Sequence, residues 1–229
     1  SVGALDPYFA EVGESVEFQV IGNSPQGTLS SITLFQGETQ IASVSNRDTL
    51  ETNVTVIQSG ETFFRALGED ATGSTVEDDL SIIVNPELVR QQRPQGIEDG
   101  VTISESGASA TLSVYAPGKQ FAYLIGSFNN WQVDPDYFMK LDEASADSAH
   151  FWIEIDGLTP GEPALFQYYI DGEIRVADLY SELVLDPDFD RFISSDTYPD
   201  MPGYPTGLTR EIVSVIEPDQ PDYEWEVTN

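Results

Sequence analysis

Few side chains in this sequence could do covalent chemistry, and none stands beside the partner it would need. Its 40 acids offer many carboxylate pairs, but a glycosidase needs two held roughly 5–9.5 Å apart across a cleft, one with a raised pKa. Here the acids lie scattered among Ser, Thr and Gln in text that reads as solvated sheet faces, so they are assigned to the surface and no catalytic residue is expected. Asp186, Asp188 and Asp190, spaced by Pro187 and Phe189, resemble the alternating oxygen ligands of a calcium loop. The stretch lacks that loop's glycine turn and distal Glu, and a solvated acidic loop is the favoured reading over a metal site. Ser104, Ser106 and Ser109 have no base nearby, and no Gly-x-Ser-x-Gly occurs. One histidine, His150, and no cysteine remove most histidine metal and triad chemistry, together with disulfides and thiolate sites. No cofactor is expected.

One aromatic has a different kind of chemistry open to it. Trp131 closes Gly126-Ser-Phe-Asn-Asn-Trp131, a Gly/Asn turn where an aromatic is commonly exposed. A flat ring can stack on the C–H face of a glucose while amides bond its hydroxyls. Asn130 and Gln167 are the amides that could accompany it. The competing reading packs Trp131 on its own sheet or against another domain.

The elements that must position these residues are strands. Val16–Val20, Ser31–Phe35, Thr52–Val56 and Leu80–Val84 alternate apolar and polar, with Gly22, Gly27, Gly37, Gly60 and Gly73 between them. Seven or so such strands within residues 1–86 read as one sandwich. Asn85-Pro86 ends the pattern, and the polar stretch 87–100 reads as a linker. A second module, 101–217, holds strand candidates Ala110–Tyr115, Phe121–Ile125, His150–Ile155, Ala164–Ile170, Glu173–Val176 and Glu211–Ile216. Asp171-Gly172 is a two-residue hairpin signal, because both central residues of a type I′ turn need positive φ. No segment sustains a 3.6-residue apolar period. The fold expected is all-β: two immunoglobulin-like sandwiches in tandem.

Charge excludes several partners. Nine bases against 40 acids give a formal −31. The acidity is spread along the chain, with 13 acids and 2 bases in residues 1–86 and 27 and 7 in the remainder. Nucleic acid and anionic membrane need clustered Lys and Arg, so neither is expected, and no run approaches the ~18 apolar residues of a membrane span. The surface resembles that of proteins from salt-loving organisms; ordinary solubility of an exported acidic protein is the alternative.

A family resemblance follows from particular words in order. Tyr115-Ala-Pro117, Leu124–Trp131, Phe166-Gln-Tyr-Tyr-Ile-Asp-Gly172 and Ala177-Asp-Leu-Tyr180 resemble carbohydrate-binding module family 48, the early-set sandwich that precedes the barrel of glycoside hydrolase family 13 enzymes. Leu185–Asp190, Thr197-Tyr-Pro199 and Tyr204-Pro-Thr-Gly207 look like the N-terminal region of exported α-amylase-type members, and 218–229 reads as a linker toward a catalytic barrel. The likeness covers about residues 97–229; residues 1–86 match only a generic immunoglobulin-like module. In sugar-binding members Trp131 has a counterpart that stacks on glucan. A lysine stands there at the position of Gln167, and a second tryptophan at that of Ile174.

What the resemblance implies is a secreted or cell-surface bacterial protein whose part seen here is non-catalytic. It would brace a family 13 barrel acting on α-1,4-glucans and contact starch, glycogen or maltooligosaccharide weakly. A purely structural spacer and a stand-alone glycogen-binding regulatory module remain the alternatives. Segment 177–207 keeps many apolar residues with poor alternation. Tyr180, Phe189, Phe192, Tyr198, Met201 and Tyr204 are therefore expected to form a surface that docks the barrel.

Overall fold

The computed structural model describes residues 7–25, 27–143 and 148–218. The chain divides into two compact units, Ser1–Glu87 and Leu88–Asn229, each built of strands. No α-helix occurs among the described residues; the three helical turns are single 3-10 turns of three residues each.

The first unit holds β1 (Tyr8–Glu11), β2 (Ser15–Ile21), β3 (Ser31–Gln36), β4 (Thr39–Ser45), β5 (Thr49–Thr55), β6 (Gly60–Glu69) and β7 (Thr75–Asn85). Five of them form a sheet in the order β1-β7-β6-β3-β4, and β2 with β5 form a second sheet of two. All neighbours are antiparallel except β1, which runs parallel to the last four residues of β7. Alternation places Val16 and Phe18 of β2 against Ile32, Leu34, Phe64, Ile82 and Val84, giving one core between the sheets. Phe18 and Phe64 meet at 4.6 Å between ring centroids.

The second unit holds β8 (Gly100–Ile103), β9 (Ser109–Tyr115), β10 (Ala122–Gly126), β11 (Lys140–Glu143), β12 (Ala149–Asp156), β13 (Ala164–Ile170), β14 (Ile174–Val176), β15 (Leu183–Leu185) and β16 (Val213–Ile216). One sheet runs β11-β12-β9-β8; the other runs β10-β13-β16-β15, with β14 also on β13. Leu112, Phe151, Ile153 and Ile155 of the first sheet share a core with Leu124, Phe166, Tyr168 and Ile170 of the second. Both units are sandwiches, so the architecture is all-β throughout.

Two local readings of the sequence meet the structure differently. At Asp171-Gly172 both residues take positive φ, 52° and 69°, and Glu173 N–H donates to the Ile170 carbonyl as the turn requires. Ile170 pairs with Ile174, however, so Glu173 is added as a third loop residue. Polar stretch 87–100, expected to be a linker, is bonded along the second unit from Leu88 onward. Trp152 explains why. Its neighbours Phe151 and Ile153 point into the core, so the indole lies on the outer face and needs a cover. The 88–93 segment supplies it: Trp152 Nε1 donates to the Gln91 carbonyl at 2.8 Å, and Leu141 exchanges backbone bonds with Val89 and Gln91. Segment 218–229, read as a linker toward a barrel, lies outside the described residues from 219 onward.

Candidate functional site

The Gly126–Trp131 string has a structural job at every position. A Cβ on Gly126 would lie 2.3 Å from the Leu165 carbonyl, a contact no other residue tolerates. Asn129 Oδ1 accepts from Gly126 N–H at 2.8 Å and its Nδ2 donates to the Leu124 carbonyl at 3.0 Å. Asn130 and Trp131 both take positive φ, which turns the chain back, and Trp131 N–H donates to the Gly126 carbonyl. Trp131 is left 5% exposed, whereas Asn130 faces solvent.

Gln167 is wholly buried. Its Nε2 donates to the carbonyls of Arg210 and Ile212, both at 2.8 Å, and its Oε1 accepts from Thr209 Oγ1 at 2.6 Å. Every hydrogen-bonding group of that amide points into the loop that precedes β16. Ile174, where a second platform would stand, sits on β14 and is partly exposed. Of the three residues assigned to sugar, only Asn130 is exposed to solvent.

The segment from Asp178 to Ile212 is anchored by polar bonds and carries several large apolar side chains exposed among its polar ones. Asp178 is buried, accepts from Tyr168 Oη at 2.9 Å and from Tyr180 N–H at 2.8 Å, and its own N–H donates to Ser214 Oγ at 2.7 Å. Burial lifts the Asp178 carboxyl above the usual carboxylate range, with Asp99 adding to the lift. Past that anchor Leu179 and Tyr180 stand 88% and 67% exposed. Asp186 Oδ1 accepts from the N–H of Asp188 and Phe189, and Asp190 Oδ2 accepts from Asp186 N–H at 2.7 Å. These acids are holding their own turn, and among the described residues no three His, Cys or acidic groups are gathered to hold a metal ion.

That turn presents Phe189 and Phe192 at 69% and 73% exposure, with the Arg191 guanidinium 4.9 Å from the Phe192 ring centre. Tyr198, Met201 and Tyr204 are half-buried. Tyr204 Oη donates to the Glu211 carbonyl at 2.7 Å, and burial, then Glu211, raises its phenol. Between the acidic turn and the 201–211 loop lies an open hollow of about 660 Å³, lined by Asp186, Arg191, Met201, Tyr204, Arg210 and Glu211.

One polar cluster was not legible from the sequence. Asp99 Oδ1 is approached by Arg93 Nη1 at 2.9 Å, Ser113 Oγ at 3.0 Å and His150 Nδ1 at 2.8 Å, while Arg93 Nε reaches Asp142 at 3.3 Å. Asp142 and His150 lie far along the chain from Arg93 and Asp99, and no local pattern marks their meeting. The cluster fastens the 88–99 segment to the sheet of β11, β12, β9 and β8.

Fold and surface together define a tandem of all-β sandwich modules with an aromatic loop surface. No protein-family profile and no curated protein matches the chain. Among solved structures it is similar to the Clostridium thermocellum CbhA fibronectin(III)-like modules, at 13% identity over 75% of this chain and 85% of that one, TM-score 0.35. It is also similar to the Group B Streptococcus pullulanase SAP in complex with maltotetraose, at 12% identity over 82% of this chain, TM-score 0.31; the match spans 24% of the pullulanase. A third is the Bacteroides ovatus mixed-linkage glucan utilization locus SGBP-B in complex with a mixed-linkage heptasaccharide, at 16% identity over 74% of this chain and 40% of that one, TM-score 0.26. At these identities and scores the likeness carries no functional argument.

Proposed function

We propose that this chain is a non-catalytic, N-terminal pair of modules of a secreted α-glucan-acting enzyme of glycoside hydrolase family 13, and that the loop surface of its second module packs against the catalytic barrel. The carrying observation is the 178–212 segment: anchored by buried Asp178 and by the Asp186 and Asp190 turns, it turns Leu179, Tyr180, Phe189 and Phe192 outward. Ordered backbone bearing large exposed apolar side chains is what a docking surface needs and what a solvated loop lacks. The sequence words from Leu124 to Gly207 support the family assignment.

Within this reading the chain's own contact with α-glucan is weak. Trp131 and Gln167 are committed to the fold, which favours a bracing role over a sugar-holding one. The coding sequence downstream of Asn229 tests the proposal. A barrel bearing a carboxylate nucleophile and a separate acid/base is expected there, and its absence overturns the proposal.

A further inference from the structure

The first unit has a seam where its sandwich is open. Immunoglobulin-type sandwiches set three or four strands against the opposing sheet; here two, β2 and β5, face five. Among the described residues β2 pairs with β5 along its whole length and has no strand on its other edge. Beyond that edge the core is not closed. Phe64 and Ala66 of β6 stand opposite Leu80 and Asp78 of β7, so the core-facing residues of β7 include Val76, Asp78 and Leu80. Val76 is 60% exposed and Leu80 48%, although both belong to the inner face. A hollow of about 480 Å³ lies between them and Val20 of β2, floored by Phe18, Leu29 and Phe64.

Two properties of the seam select an occupant. Among the described residues the outer edge of β2 carries backbone groups with no partner strand, which an extended chain satisfies by adding as a strand. Asp78 places a carboxylate between two apolar residues on the inner face, whereas Glu77, paired with Arg65, and Asp79 alternate to the outer face. We propose that this seam binds an extended polypeptide strand of a partner that carries Lys or Arg between two apolar residues on one face. Apolar side chains at positions i and i+4 of the strand cover Val76 and Leu80, and the cation at i+2 meets Asp78. Core-like apolar contact supplies the hold, and the acid selects the sequence that enters.

Two nine-residue peptides with blocked ends and a fluorophore test this against the full 229-residue chain: Ser-Thr-Val-Thr-Lys-Thr-Val-Thr-Ser, and its counterpart with Glu for Lys. Fluorescence anisotropy is expected to show the Lys peptide bound about tenfold or more tighter than the Glu peptide, equivalent to ~1.4 kcal/mol. Amide exchange of β2 should slow on binding. Asp78→Lys, checked for an unchanged melting point, should invert the order of the two peptides, a result that loose apolar sticking does not produce. Equal affinity for both peptides, or no binding, overturns the proposal. So does binding that appears only after residues 1–6 are deleted, because the seam then belongs to the chain's own first segment.

Discussion

Tyr168 donates its phenolic hydrogen to Asp178 across 2.9 Å, with both side chains buried beside Ser113 and Ser214. The bond joins the core of the second sandwich to the first residue of the 178–212 segment. Burial, then the Asp178 charge, raises the Tyr168 phenol well above 10.0. The folded chain therefore keeps that proton while an unfolded chain gives it up above pH 10, so unfolding is favoured as pH climbs.

Tyr168→Phe is thus expected to flatten the alkaline loss of stability. Unfolding free energies from urea titrations between pH 8 and pH 11.5 should fall steeply for the wild type above pH 10, and less steeply for the variant by up to ~1.4 kcal/mol per pH unit. Parallel curves would mean that the phenol ionises unhindered in the folded state.

The sugar-site residues give opposite expectations for stability and for binding. Trp131→Ala empties a buried site and should cost about 3 kcal/mol or more. Gln167→Ala takes the amide donor from two carbonyls and should cost about 2 kcal/mol. Maltoheptaose should bind the wild type no better than about millimolar, roughly −4 kcal/mol, with neither substitution changing that. Micromolar binding abolished by Trp131→Ala, with the melting point unchanged, would restore Trp131 as a sugar platform.

Strand β13 could be read to the residue, because Ala164–Ile170 is apolar but for Gln167 and lies between clear turn residues. Strand β6 could not. Phe63 and Phe64 are adjacent, one exposed on the outer face and one in the core, which erases the alternation. The Gly126–Trp131 string was legible as a turn but its burial was not, since exposure depends on how two consecutive positive-φ residues fold the turn back. Gln167 points away from the core between Phe166 and Tyr168, and only the distant 209–212 loop buries it. The strap over Trp152 escaped for the same reason: Gln91 and Trp152 are far apart in the chain, and no local pattern marks their bond.

Arg93 is the keystone of that strap. Arg93→Ala leaves Asp99 and Asp142 without their guanidinium and should destabilise the second unit by about 2 kcal/mol. Exchange of the Gln91 and Leu141 amides should speed up before that of the β12 and β13 amides. Uniform acceleration would show the strap to be inseparable from the sandwich.

Salt should stabilise a chain carrying −31. Screening shortens from ~10 Å at 0.1 M to ~3 Å at 1 M. The melting temperature is expected to rise most steeply over the first few tenths molar sodium chloride. Indifference to salt over that range would favour the solubility reading of the acidity.

The docking surface is tested most directly in the whole parent protein by calorimetry of Phe189→Asp with Phe192→Asp. Both rings are exposed in this chain, so the isolated 229-residue chain should melt unchanged with the two substitutions. In the parent, the wild type should unfold its second sandwich and its barrel in one transition, and the double variant should separate them into two. A parent that melts identically with and without the two aspartates would contradict the account.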